Sequence, residues 1–176
     1  MIRYGCRSQP SQYNSCRLLF LHKSVDNRLD LLANAKSLII AQIGQLVAAS
    51  SIYESDPWGF DSKNPFLNQA VLIKTNFSPE KVLETCLSIE SMLGRTRIKN
   101  KAYADRNIDI DILLYEELII CTDNLEIPHP RMHQRRFCME PLTEIAPNWV
   151  VPTFQKTTRQ VLALCSDHSK ISTLSA

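Results

Sequence analysis

Between Arg17 and Tyr115 the apolar residues switch between strand-like and helix-like spacing in the order β-α-β-β-α-β. No other feature narrows the folds open to this chain so far. RLLFL (17–21) reads as a first strand, and Leu29, Leu32, Ala35, Ile39, Ile40 and Ile43 recur at helical spacing from Arg28 to Ile43. LVAASSIYES reads as a strand, SDPWGFDSKNP (55–65) as a loop of turn residues, and FLNQAVLIKTN (66–76) as a further strand. Ser78 is placed to cap a second helix, with Pro79 at its first position and Gly94 at its end. Val82, Leu83, Cys86, Leu87, Ile89, Met92 and Leu93 supply that helix's buried stripe. RNIDIDILLYEE (106–117) is the last strand of the pattern, and YEE predicts a hairpin turn back into LIIC. Beyond it, IPHPRMHQRRFCMEPLTEIAPNWVVP predicts helical fragments broken by prolines, and RQVLALC a last short helix. The expected class is α+β, a ferredoxin-like split-βαβ sandwich whose antiparallel sheet carries helices on one face.

The 176 residues suffice for one domain with a proper core, and 44% hydrophobic with 22% charged residues is an ordinary globular composition. Residues 1–16 are basic, free of Asp and Glu, and lack the apolar stretch of a secretory signal. They are expected to form a disordered tail before a single domain over 17–176. A net charge of +2 gives no general nucleic-acid or membrane footprint. No run approaches the roughly 18 apolar residues of a membrane span. The six cysteines have no CxxC spacing, which fits reduced thiols in the cytoplasm better than a disulfide framework. His129 and His133 have the spacing of a zinc pair, but no third ligand lies at a useful distance.

Alternation along 106–117 turns Ile108, Ile110 and Ile112 to one face and Asp109 and Asp111 to the other. Their Cα atoms are then about 6.5–7 Å apart. Two carboxylates held so close repel each other unless a cation or several donors sit between them. A solvated acidic face and a metal-binding face both satisfy the pattern at this point.

The surroundings are basic. Arg95, Arg97, Lys99, Lys101 and Arg106 precede the acidic strand, and Arg131, Arg135 and Arg136 follow it. Such runs are commonly solvated faces. Around a carboxylate pair, however, they are also what polyphosphate chemistry requires. Mg²⁺ takes carboxylate oxygens and keeps its other positions for water and phosphate. Arginines then neutralise and position the transferring group. No GxxxxGK[ST] is present, so the chain is not a P-loop enzyme, and no upstream Gly-Ser pair supports a nucleotidyltransferase of the Gly-Ser…Asp-x-Asp kind. Phe66 and Asn68 share one strand face beside the SDPWG loop, with Trp58 and Phe137 the other aromatics near the charged regions. They could stack and read a flat heterocycle, or Phe66 and Phe137 could be core.

DRNIDIDILLY, IPHPRMHQRRF and PLTEIAP, together with SSIYESDPWG, FLNQAV and SIESMLGRTR, resemble the 6-hydroxymethyl-7,8-dihydropterin pyrophosphokinase family of folate biosynthesis. The resemblance runs from about Arg28 to Pro152 and favours metal at the aspartates. It implies a cytoplasmic, monomeric catalytic domain that moves pyrophosphate from ATP to the pterin alcohol and releases AMP, with small molecules as its partners. It implies two Mg²⁺ ions on Asp109 and Asp111, and catalytic arginines at Arg95, Arg97 and Arg106. Glu90, Arg95, Arg106, Ile112, His129 and Arg135 would meet ATP. Ser55, Pro57, Trp58, Phe66, Asn68 and Phe137 would line the pterin pocket. Another Mg²⁺-dependent nucleotidyl- or phosphotransferase, or a ligand-binding relic, are the alternatives. The chain departs from the family's pattern at Lys101 and Tyr103, where an arginine and a tryptophan are usual, and at Phe66, where tyrosine is common. It departs again at His22-Lys23-Ser24, where a Gly-Ser-Asn-like or Gly-Thr-Asn-like turn is usual and where weakened pterin binding or turnover is expected, with ATP and Mg²⁺ binding unchanged.

Overall fold

A computed structural model describes residues 16–23, 28–56, 65–94 and 108–174. Strand β1 (Cys16–Lys23), helix α1 (Arg28–Gln42), strands β2 (Gln45–Ala49), β3 (Tyr53–Ser55) and β4 (Phe66–Lys74), helix α2 (Pro79–Met92) and strand β5 (Asp109–Tyr115) realise the predicted order. The sheet runs β10-β3-β4-β1-β5, where β10 is Ile171–Thr173, and β2 also pairs with β4. All its pairings are antiparallel.

Local chemistry sets several boundaries. The Ser78 side chain accepts the Lys81 N–H at the start of α2, Pro79 follows, and Gly94 beyond the helix has φ 91°. Gly44 joins α1 to β2 where a Cβ would stand 2.2 Å from the Lys74 carbonyl oxygen, so only glycine fits. LVAASSIYES is two strands, not one. At the break, Ser50 Oγ accepts the Ala70 N–H at 3.0 Å, and the Gln69 amide donates to the Ser50 carbonyl at 2.7 Å. These side-chain bonds join the backbone bond from the Ser50 N–H to the Ala70 carbonyl at 2.9 Å where the two strands part.

Helices cover both faces of the sheet, which corrects the one-face expectation. Leu19, Leu21, Val71 and Ile73 meet α1 and α2 through Leu32, Ala35, Ile39, Val82, Cys86 and Ile89. On the opposite face Leu18, Phe20 and Leu72 meet Phe137, Met139, Leu142, Trp149 and Val161. These come from helix α3 (Arg136–Ile145), the hairpin of β8 (Val150–Val151) and β9 (Lys156–Thr157), and helix α4 (Thr158–Ala163). RLLFL is apolar at consecutive positions, so both faces of β1 need a cover. The expected helical fragments form, a short turn at Met132–Gln134 and α3 ending before Pro147, but Pro141 makes no break: α3 runs through it.

The expected hairpin after β5 does not form. Strand β6 (Ile120–Cys121) pairs with β7 (Glu126–Ile127) instead of β5. Glu116 turns with φ 50°, its carboxylate takes Arg17 Nη1 at 3.0 Å, and its carbonyl takes the Trp149 indole N–H at 3.3 Å. Arg17 is buried, 3.4 Å above the Tyr115 ring centroid. This pinned turn carries the chain past the sheet edge rather than back along it.

Candidate active site

β5 is the edge strand beside β1. Ile108, Ile110 and Ile112 are 0, 4 and 5% exposed in the α1–α2 core, so Asp109 and Asp111 face the other way, half-buried. Strand register then lays out the acidic face. Asp111 lies opposite Phe20, and Phe20 opposite Ala70; Asp109 lies opposite His22, His22 opposite Asn68, and Asn68 opposite Tyr53. Strands repeat every 4.7–4.9 Å or so, which places Asn68 about 10 Å across the sheet from Asp109. One face thus carries carboxylates at its edge and a buried amide two strands away.

Glu90, only 2% exposed, reaches from α2 and accepts the Ile110 N–H at 2.7 Å with Oε1. It grips the backbone between the two aspartates. Ile112 keeps its side chain in the core.

His129 is tied to the same strand by its N–H on the Leu113 carbonyl at 3.0 Å. Its Nδ1 accepts the Arg131 N–H at 3.3 Å, which assigns the ring proton to Nε2 in the neutral form. Burial lowers the pKa of His129; Asp111 acts against this, and Arg135 and Arg131 add to it. Burial and then Arg131 lower that of Arg135, which nonetheless stays charged at neutral pH. Asp111, His129 and Arg135 therefore feel one another's charge. The His133 ring centroid lies 4.9 Å from that of Phe154. Burial, with Asp111 as the second cause, pushes the Cys86 thiol up to about 12 and raises Cys138 as well.

Asn68 is fully buried. Its Nδ2 donates to Ser55 Oγ at 2.9 Å and, at longer range, to the Tyr53 and Phe66 carbonyls at 3.4 and 3.5 Å. Phe66 is buried on the same strand face. Phe137 opens α3, its ring centroid 6.1 Å from that of Phe20 at a 38° tilt, with Arg135 Cζ 5.8 Å from its own centroid. The fold thus gathers Asp109, Asp111, His129, Arg135 and Phe137 near one edge and Ser55, Phe66 and Asn68 further in. Pro57, Trp58, Arg95, Arg97, Lys101, Tyr103 and Arg106 lie outside the described residues, as do residues 1–15, Ser24 and the side chains of His22 and Lys23.

Sequence reasoning missed two contributors. Phe20 stands between the aspartate edge and Ala70, which its alternation with Leu18 could have revealed. Glu144 of α3 accepts the Ser51 N–H and hydroxyl at 3.0 Å each through Oε1, and the Tyr53 hydroxyl at 2.9 Å through Oε2. No local pattern announces that bond.

The donor set suits Mg²⁺. Among the described residues no group of three or more His, Cys, Asp or Glu side chains could enclose a metal. Two carboxylates on one strand face would leave an ion's other positions to water and phosphate, the way Mg²⁺ is commonly held.

Known proteins resemble this chain in sequence and in fold. A model of the 7,8-dihydro-6-hydroxymethylpterin-pyrophosphokinase (HPPK) family matches residues 20–147. The chain is 40% identical over 136 residues to a 2-amino-4-hydroxy-6-hydroxymethyldihydropteridine pyrophosphokinase of Porphyromonas gingivalis, covering 76% of this chain and 92% of the relative. To its counterpart in Bacillus subtilis it is 40% identical over 133 residues, 75% of this chain and 78% of the relative. Wild-type HPPK-DHPS of Plasmodium falciparum shares the fold at a TM-score of 0.68 and 14% identity, over 85% of this chain and 44% of that one. The chain spans less than half of that longer solved chain.

Proposed function

Because this chain belongs to the 7,8-dihydro-6-hydroxymethylpterin-pyrophosphokinase family, we propose the following reaction and division of labour for it. The enzyme transfers pyrophosphate from ATP to 6-hydroxymethyl-7,8-dihydropterin in folate biosynthesis. The hydroxymethyl oxygen gives up its proton and bonds to the β-phosphorus; the bond from that phosphorus to the α,β-bridging oxygen breaks, and AMP leaves with that oxygen.

Asp109 and Asp111 hold two Mg²⁺ ions. When bound, these supply charge neutralisation and Lewis-acid polarisation at the phosphates. Glu90 keeps the strand between the carboxylates in place, and with the Ile112 main chain it borders the nucleotide. His129 and Arg135 face the phosphates across from Asp111, and Arg95, Arg97 and Arg106 complete the cationic set. On the pterin side Asn68 offers its amide to the heterocycle's polar edge, braced by Ser55. Phe137 and Phe66 supply apolar faces, with Pro57 and Trp58 closing the pocket. The protein acts as a cytoplasmic monomer, with the residues before β1 as a tail outside the catalytic domain; Cys16, expected in that tail, is instead the first residue of β1 and pairs with Lys74.

The observation that carries this reading is the placement of Asp109, Asp111 and Asn68 on one sheet face, about 10 Å apart by strand spacing. That distance matches a pterin whose hydroxymethyl arm reaches metal-held phosphate. The test supplies ATP, Mg²⁺ and the reduced pterin alcohol and follows the nucleotide product. AMP supports the reading. ADP would indicate an ordinary kinase, and pyrophosphate release with AMP attached to an acceptor would indicate nucleotidyl transfer.

A further inference from the structure

The family match ends at residue 147, yet the chain beyond it returns to both walls of the site. Helix α3 carries Phe137 in its first turn, and its N-cap, Arg135, makes no side-chain cap bond. The acceptor arrives from far along the chain. Asp167 Oδ2 takes the Arg136 N–H at 2.8 Å, while Oδ1 takes the Ser169 N–H at 2.9 Å. Both carboxylate oxygens are thereby oriented, and the acidic side chain sits at the positive end of the helix. Four residues later the same segment becomes β10. Ile171 pairs with Ser55 and Thr173 with Tyr53, and the Leu174 N–H donates to the Ile52 carbonyl at 2.9 Å. A four-residue link spans at most about 14 Å, so the first turn of α3 and strand β3 are held within that reach. At the other end of α3, Glu144 joins the helix to Ser51 and Tyr53.

We propose that Asp167 is a positioning residue for the pterin pocket: it fixes the first turn of α3, and with it Phe137, against the wall formed by β3 and Asn68. The proposal rests on the pyrophosphokinase reading. The nucleotide side depends less on the cap: the His129 N–H bonds the Leu113 carbonyl of β5 and the Arg135 N–H bonds the Met132 carbonyl, although Arg135 is itself the N-cap of α3. Loss of the cap should therefore affect the pterin more than ATP.

Steady-state kinetics of the full chain and its Asp167→Ala and Asp167→Asn variants test this, together with amide exchange over residues 136–139. A single cap is a small part of the stability of a domain this size, so both variants fold. Asp167→Ala is expected to raise the KM for the pterin roughly 5–10-fold, with ATP KM and kcat within about twofold, and to speed exchange over 136–139. Asp167→Asn, whose single amide oxygen can accept the Arg136 N–H but not the Ser169 N–H as well, should restore most of both. An Asp167→Ala enzyme with unchanged pterin KM overturns the proposal, as does a defect that Asp167→Asn leaves unrepaired. A full chain that makes no AMP overturns the pyrophosphokinase reading instead, and equal exchange in all three proteins would then overturn the cap itself.

Discussion

Glu90 and Ile110 are joined by a 2.7 Å hydrogen bond from the strand N–H to a carboxylate oxygen that is almost wholly buried. Ile110 lies between Asp109 and Asp111, so this bond sets the backbone from which both carboxylates project. Replacing Glu90 by Ala strands a buried N–H and should cost about 1–3 kcal/mol of stability. The enzyme should also need more Mg²⁺ for half-maximal rate, because the two aspartates lose their common support. Glu90→Gln retains an acceptor and should fall between. A Mg²⁺ dependence in Glu90→Ala that superimposes on the parent's would remove Glu90 from this role.

Asp109→Ala and Asp111→Ala should each lower kcat at least 10²-fold while leaving the fold intact. Both side chains are half-buried on the face away from the α1–α2 core, so neither contributes to that packing. Each substitution also relieves carboxylate repulsion, and melting in EDTA should occur at the same or a higher temperature than for the parent. Calorimetry with and without Mg²⁺ checks this: only the parent should gain stability from the metal. Turnover near the parent level in either variant would reject the metal assignment.

Much of this layout was legible because it depends on period. Alternation in RNIDIDILLYEE is enough to separate three isoleucines from two aspartates, and Ser78, Pro79 and Gly94 bracket α2 through local cap chemistry. The failures involve partners distant in sequence. Glu116 turns away from a hairpin because Arg17, 99 residues earlier, holds its carboxylate. The grip of Glu144 on Ser51 and that of Asp167 on Arg136 span 93 and 31 residues. A helical wheel places Glu90 beside the buried stripe, but nothing in it says that a strand N–H waits there. The second helical layer was missed for a different reason: RLLFL is apolar at every position except Arg17, and such a run can be read as one covered face or two.

Asn68 should separate pterin binding from nucleotide binding. Its Nδ2 faces Ser55 Oγ and, more distantly, two main-chain carbonyls. Asn68→Ala is expected to raise pterin KM about tenfold and leave ATP KM unchanged. Asn68→Asp keeps the shape but turns an acceptor oxygen toward those carbonyls, so it should bind pterin more weakly than the alanine variant. Titration of pterin into enzyme saturated with a non-hydrolysable ATP analogue gives the order directly. Equal affinities in the parent and the aspartate variant would place Asn68 outside the pocket.

Tyr53 offers a pH-dependent check on how α3 is fastened to β3. Its hydroxyl donates to Glu144 Oε2 at 2.9 Å, and its backbone lies opposite Asn68 in β4. Burial, the hydrogen bond to Glu144, and the charges of Glu144 and Glu140 together push its pKa from 10.0 up to about 12. The folded value lies above the unfolded one, so the neutral phenol is favoured in the native state. Its contribution to stability is therefore fully present below about pH 10 and is lost as pH rises through about 12. The absorbance titration of the parent minus that of Tyr53→Phe isolates this phenol and should show it ionising near 12. Glu144→Gln removes the negative charge but leaves an amide oxygen to accept the bond, so the transition should move down toward the ordinary tyrosine value without reaching it. A Tyr53 transition already at the ordinary value in the parent would mean that Glu144 does not hold this hydroxyl in solution. The link between α3 and the β3 side would then rest on the Ser51 bonds to Glu144 and on packing.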